Sequence, residues 1–294
     1  MRCRTTIGAA HELGMSQPAV SNAIKGIEAQ LRFRLFDRIS NRLVPTEEAR
    51  LLAAEAEPLF AMHQALNHRA DDLSAGRIGR VRVLATSELS ELLLPRVMRR
   101  FVDAHPDVNV SIDTSRLDAV LDGIEMGIAD FGLAIGPHPR PGLVYEPLME
   151  LEMVCASPSG SVTADLPTVT AADLKDARLI GPPPGSPLSA LLEEEFRKVS
   201  AAFSPTIEVR FMNIAAHLVE AGVGVAIVDE LTASYGHFSN LRMSGFTPRI
   251  PIMLQAILPK DKPLQRLARS FIEHVHLELA AMARIRTDEG RGLE

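Results

Sequence analysis

Only two cysteines, Cys3 and Cys155, occur in 294 residues, far apart and without metal-type spacing, which indicates neither a disulfide framework nor a zinc site. No apolar run approaches bilayer length and the start lacks the apolar core of a signal peptide, so a cytoplasmic chain without membrane contact is expected. No Ser, His and Asp or Cys and His arrangement announces itself; neither enzyme activity, cofactor nor metal is expected. His274 and His276 are two apart on an expected helix and turn to different faces, which argues against a shared metal. Gly222-Val223-Gly224 resembles a dinucleotide loop, but it stands at a helix-to-strand junction, where a chain reversal explains it better.

What is present is more specific. With 46% hydrophobic residues the chain can bury real cores, and its length predicts two or three units. The net charge of −6 argues against coating by nucleic acid, yet residues 1–50 hold eight Lys and Arg against five Asp and Glu. Within this front segment, Ile7, Ala10 and Leu13 form one stripe of a short helix, Gly14 suits a left-handed C-cap, and Ser16 caps a second helix. In that second helix Val20, Ile24, Ile27 and Leu31 are expected to face inward, leaving Gln17, Pro18, Ser21, Asn22 and Lys25 outward. Gln17 and Asn22 carry the paired donor and acceptor that read adenine, while Ser21 and Lys25 suit phosphates or guanine. A helical hairpin from an unrelated bundle is the alternative.

The fuller string Ala9-Ala10, Leu13, Ser16-Gln17-Pro18-Ala19-Val20-Ser21, Ile24, Glu28, Leu31, Leu35-Phe36-Asp37-Arg38 and Pro45-Thr46-Glu47 closely resembles the winged helix-turn-helix of LysR-type transcriptional regulators. The rest of the chain follows that family's order to about residue 284. Two short extended runs around Ser40-Asn41 read as a wing. Arg38 and Arg42 would sit at its tip and flank, placed for a minor groove or phosphates, or else simply solvated. Thr46 caps a long helix in which Leu52, Leu59, Leu66 and Leu73 recur every seven residues, each preceded at three positions by Ala49, Ala56, His63 or Ala70. This is a coiled-coil seam, with a helix packed on its own domain as the alternative; Pro58 should bend it, and Ser74-Ala75-Gly76 should end it. The resemblance implies that this linker helix pairs antiparallel between subunits.

From Arg80 strands alternate with helices: strands at 81–85, 108–112 and 131–135, helices at 89–104 and 117–126, then a second such unit from about Glu152. The alternation predicts a parallel sheet covered by helices. Met253 to Leu258 reads as a last strand, and Leu264 to Arg284 as a long amphipathic helix. The expected fold class is α/β with an all-α/winged N-terminal part. Residues 1–46 form a truncated winged helix-turn-helix, 47–76 a dimerising linker helix and 77–294 a two-lobed effector domain similar to periplasmic solute-binding proteins. Lobe I covers 79–155 and 259–284 and lobe II 156–258; the resemblance places the crossings near Val154 to Ser157 and Gln255 to Leu258. Ligands in such sheets gather at strand carboxyl ends, where helix N-termini present free donors. Those points are Thr86-Ser87-Glu88, Ile135-Gly136, Gly185-Ser186 in a stiff Pro-rich loop, and Phe211-Met212-Asn213. This set suits a small carboxylate, or a zwitterion where Glu88 meets its amine; helix capping is the alternative for each Ser or Thr taken singly.

Two departures from the family pattern stand out. The winged domain normally begins with a further helix, whereas only Met1 to Arg4 precede the matching stretch, so part of the Ala10, Leu13, Ile24 and Ile27 stripe is expected to be uncovered. An upstream extension is expected to restore that helix and tighten DNA binding. Asn22 stands where many relatives carry Arg. The expectation is a homodimeric or homotetrameric regulator that holds double-stranded promoter DNA, responds to a small-molecule effector and reaches RNA polymerase indirectly. The alternative is a cytosolic sensor module with impaired DNA binding that acts through dimerisation. The effector half looks similar to family members that sense opines and other amino acid derivatives.

Overall fold

The computed structural model describes residues 5–39, 42–53, 55, 56, 59, 63, 66, 79–136 and 139–291, with backbone alone at 38, 39, 42 and 284–291. The chain forms two compact units, Met1–His68 and Arg69–Glu294. No described helix is long and apolar enough to cross a membrane.

In the first unit α1 (Thr6–Leu13) starts at Thr5, whose hydroxyl accepts from the Gly8 amide. It stops at Gly14, which takes φ 62°, a left-handed conformation that glycine adopts without a Cβ clash. Helix α2 (Gln17–Leu31) starts at Ser16, which accepts from Ala19 N–H at 3.3 Å. Strands β1 (Phe36–Ile39) and β2 (Arg42–Pro45) pair antiparallel, Phe36 opposite Pro45 and Ile39 opposite Arg42, as a wing; Ser40 and Asn41 lie outside the described residues. Glu28 fixes the wing to α2, because its carboxylate accepts from the amides of Leu35 and Phe36 at 2.7 and 3.3 Å. Of the expected inner stripe of α2, Val20 is buried and Ile24 and Leu31 are half-buried, but Ile27 is 47% exposed. Ile7 and Leu13 of α1 are also exposed, at 72% and 63%.

Thr46 joins the wing to the next helix: its hydroxyl donates to Arg34 O at 2.9 Å and accepts from the Ala49 amide at 3.2 Å. The described residues at 47–53, 55, 56, 59, 63 and 66 are helical. Ala49 is buried, whereas Leu52, Leu59 and Leu66 stand exposed; Pro58, Ala70, Leu73 and Ser74-Ala75-Gly76 lie outside the described residues.

The second unit begins with β3 (Arg80–Ala85), which lies parallel to both β4 (Asn109–Thr114) and β5 (Phe131–Ile135). The single helix expected at 89–104 is two helices, α3 (Ser87–Leu92) and α4 (Leu94–Ala104). Pro95, without an N–H, falls in the first turn of α4, and the chain breaks just before it. Helix α5 (Leu117–Glu125) crosses from β4 to β5.

The sheet is mixed instead of parallel. Strand β6 (Leu143–Pro158) is sixteen residues long; its first part pairs antiparallel with β12 (Pro251–Pro259), and its last part with β10 (Val225–Asp229) and β11 (Leu241–Thr247). It therefore carries the chain between lobes near Glu152 and Met153. The return precedes β12, which already pairs with β5 along Leu254 to Ile257, so residues 251–258 belong to the first lobe, a correction of the expected boundary. The second lobe adds β7 (Thr168–Thr170), β8 (Leu179–Gly181), α6 (Pro187–Lys198), β9 (Ile207–Glu208), α7 (Met212–Glu220) and α8 (Glu230–Tyr235). Helix α9 (Arg266–Arg291) returns to the first lobe, where Phe271 packs on Phe101 and Phe131.

Gly222 and Gly224 make the reversal into β10. Gly222 takes φ 75°, and a Cβ on Gly224 would stand 2.4 Å from the Arg178 carbonyl oxygen, the acceptor for Val225 N–H. Because that neighbour is backbone and already engaged, Gly224→Ala is expected to cost about 1–3 kcal/mol. Urea denaturation measures this, and a variant of unchanged stability would show that the β8–β10 edge gives way freely.

Candidate functional site

The DNA-facing residues expected from sequence cluster at the front of α2. Gln17, Pro18, Asn22 and Lys25 are exposed and Ser21 is half-buried. The Gln17 amide donates to Thr6 Oγ at 3.2 Å and Ser21 Oγ at 3.0 Å, so it is held by its own unit. Ser21 and Lys25 line one side of a groove of about 750 Å³ whose other side is Phe36, Asp37 and Leu43 of the wing. The side chains of Arg38 and Arg42 lie outside the described residues.

Inside the second unit, strand-to-helix loops from both lobes meet around one two-chambered cavity. Its inner chamber, about 60 Å³, is lined by Glu88, Met153, Leu188, Met212, Asp229 and Ile252, among others. Its outer chamber, about 190 Å³, shares Glu88, Ile135, Leu188 and Met212 and adds Thr86, Arg116, Ser186, Arg210 and Phe211. Seven of the ten expected ligand residues thus face the cavity: Thr86, Glu88, Ile135, Gly136, Ser186, Phe211 and Met212.

The remaining three are placed otherwise. Asn213 donates its amide to Ser87 Oγ at 3.0 Å and Glu91 Oε2 at 2.8 Å, joining α7 of the second lobe to α3 of the first. Ser87 and Asn213 therefore hold the lobes together, and neither lines the cavity. Gly185 is exposed, with φ 79°, and turns the Pro-rich loop so that Pro182 and Pro183 border the outer chamber. Ser186 lines the chamber but its hydroxyl already accepts from Ser189 N–H at 3.1 Å as a helix cap.

Four charged residues of the cavity were absent from the sequence reading: Asp229, Arg116, Arg210 and Asp118, the last in the first turn of α5. Asp229, 2% exposed, ends β10 and caps α8, its two oxygens accepting from the Thr232 amide at 2.8 Å and hydroxyl at 2.7 Å. Arg116 and Arg210 are exposed at the outer chamber, each immediately before or next to the start of a helix. Asp229, Arg116 and Arg210 follow the strand-end rule that picked out Thr86, applied to β10, β4 and β9. Glu88 is 9% exposed, and burial, followed by the charges of Asp229 and Glu91, pushes its carboxyl up to about 7. Burial raises Asp229 as well. Glu88 Oε2, Thr86 Oγ and Asn213 Oδ1 are buried without a hydrogen-bond partner of good geometry.

His274 Nδ1 donates to Ser270 O, 2.7 Å away, and His276 stands 3.6 Å from Glu146, so the two rings serve separate contacts. Among the described residues no group of three His, Cys, Asp or Glu is placed to hold a metal.

Comparison with known proteins agrees with this architecture. Residues 1–50 match the bacterial regulatory helix-turn-helix of the lysR family, and residues 74–280 the LysR substrate binding domain. The regulatory protein NocR of Agrobacterium tumefaciens (strain T37) is 32% identical over 263 residues, 90% of this chain and 88% of that one. The octopine catabolism/uptake operon regulatory protein OccR of Rhizobium meliloti is 29% identical over 225 residues, 76% and 74% of the two chains. The crystal structure of full-length CbnR with its target DNA shares the fold at a TM-score of 0.68 and 21% identity, covering 93% of this chain and 94% of that one. These relatives regulate transcription and are not enzymes. With a matching DNA-binding head and a substrate-binding domain that together span most of its length, the chain belongs to the LysR-type family of transcriptional regulators.

Proposed function

We propose that this regulator holds promoter DNA in the cytoplasm as a homodimer or homotetramer, and that a small carboxylate-bearing metabolite, an amino acid derivative, sets its activity from the cavity between the effector lobes. The observation that carries this reading is the convergence of Thr86, Glu88, Ser186, Arg116 and Arg210 from both lobes on one cavity. A ligand bridging them acts by binding one lobe arrangement better than another, and a tenfold preference supplies about 1.4 kcal/mol of bias. Ser87, Glu91 and Asn213 join the lobes beside the cavity, so a shift in lobe angle must re-form those bonds. The name of the related octopine catabolism/uptake operon regulator supports an amino acid derivative as effector. Contact with RNA polymerase is expected to be indirect, through promoter geometry.

Fluorescence anisotropy on labelled DNA from upstream of the gene, at two salt concentrations and against nonspecific DNA, tests the DNA-binding half. Salt dependence reports phosphate contacts and the gap to the control reports base reading. Lys25→Ala is expected to weaken both kinds of DNA and to lower the salt slope by about one. Footprint length with and without effector tests the switch, which fails where a ligand binds the cavity and leaves footprint, bend and transcription unchanged.

The second reading, a sensor module that pairs with relatives through the linker helix, is favoured by the exposed Ile7, Leu13 and Ile27 of the head. Absence of specific DNA binding by a well-folded protein selects it.

A further inference from the structure

The cavity changes chemistry along its depth. At the mouth stand two guanidinium groups, Arg116 and Arg210, with the exposed carboxylate of Asp118, which faces Arg140 at 3.8 Å, beside them. Inward, the walls are Leu188, Leu191, Met212, Met153 and Ile252; of the two carboxyl groups, Asp229 lines the inner chamber alone and Glu88 lines both chambers. Asp229 already uses both oxygens on Thr232, whereas Glu88, beside the Thr86 hydroxyl of its own loop, has Oε2 buried without a hydrogen bond of good geometry. A buried acceptor without a donor is a lost hydrogen bond, and one native structures rarely leave unfilled. The other charged groups acting on Glu88 are Asp229 from β10 and Glu91 from its own helix, both acids, so the complementary donor is a cation. Apolar walls between an acidic end and a basic mouth fit a methylene stem with a cation at one end and a carboxylate at the other.

Resting on the reading of this cleft as the effector site, we propose that the effector is a basic amino acid, with its terminal ammonium or guanidinium donating to Glu88. Its stem lies against Leu188, Met212 and Ile252, and its carboxylate meets Arg116 and Arg210. The carboxyl of Glu88 must be ionised to accept both charge and hydrogen bond, so binding releases a proton near neutral pH.

Calorimetric titration of the full chain with L-arginine and L-lysine, against their uncharged counterparts L-citrulline and L-norleucine, tests this. A hydrogen bond to a charged partner makes the basic member of each pair bind roughly ten- to a hundredfold tighter at about pH 8. Glu88→Gln is expected to collapse that ratio, and Arg210→Ala to weaken all four alike. Equal affinity within each pair, discrimination that survives Glu88→Gln, or no binding of either basic amino acid at millimolar concentration overturns the cation subsite. The cleft reading survives these results where an uncharged amino acid or a simple dicarboxylate such as glutarate binds in an Arg210-dependent way. Basic amino acids that bind unaffected by both substitutions overturn both readings, because they then sit elsewhere.

Discussion

Glu88→Gln is expected to stabilise the ligand-free protein by about 3 kcal/mol at about pH 8 and by less than about 1 kcal/mol at about pH 5. The carboxyl of Glu88 is raised from an ordinary 4.5 to about 7, first by burial and then by the neighbouring charges of Asp229 and Glu91. In the unfolded chain it ionises at the ordinary value, so between the two values the folded state holds a proton that the unfolded state has lost. Its contribution to stability is therefore complete below 4.5 and is lost as pH rises through 7. Glutamine keeps the shape of the protonated acid and never ionises, so the difference between the two proteins grows over that window. Urea denaturation at several pH values reads the difference directly and cancels the titration of every other carboxylate. A difference that is flat with pH would mean that water reaches Glu88 and that its environment is not the one described. The strain has a functional sense: an ionised Glu88 beside Asp229 is unfavourable until a cation arrives, so a regulator less stable when empty gains the more on binding its effector. The same substitution that raises resting stability is expected to remove the preference for basic ligands, a trade common at binding sites.

How far the sequence reached depended on whether a feature was local. Caps and stops such as Gly14, Ser16 and Thr46 were legible because each is decided by a few neighbouring residues. The strand-end rule found the loops of the site, since topology alone brings those ends together. It did not say which way each side chain turns: Thr86 and Glu88 face the cavity, while Ser87 between them reaches across to Asn213. Asp229 was hidden for a related reason: it closes the strand Val225-Ala226-Ile227-Val228, which is apolar throughout and signals only core. The long strand β6 was seen only from Glu152 onward, because Leu143 to Leu151 has no period-two burial, only its two ends being buried, and is interrupted by Pro147 and a register shift. Ile27 was assigned inward on period alone. A helical period gives relative facing, and whether a face is covered depends on a neighbour that the period does not contain.

Substituting Leu59 and Leu66 together by Glu is expected to convert the proposed dimer to monomers at micromolar concentration. Leu52, Leu59 and Leu66 keep a seven-residue spacing along helical residues and are 40%, 67% and 65% exposed in the single chain. The opposite alternative, a helix packed on its own domain, would bury such a row; here Ala49 is buried while the leucines are not. Monomeric proteins seldom leave a contiguous row of large apolar side chains in water, and a second copy of the same helix supplies the matching row. In a two-fold arrangement each substitution counts twice, so four leucines lose burial worth about 1.5–3 kcal/mol each, before the repulsion of the new carboxylates. Sedimentation velocity reads the oligomer, and a variant that sediments like the parent protein assigns dimerisation to another surface. DNA binding supplies an independent readout. One head instead of two leaves roughly half the phosphate contacts, so the slope of affinity against salt should fall by about half. A variant that is monomeric yet keeps the full slope would mean that one subunit alone holds the promoter, and that the linker helix serves only to bring effector domains together.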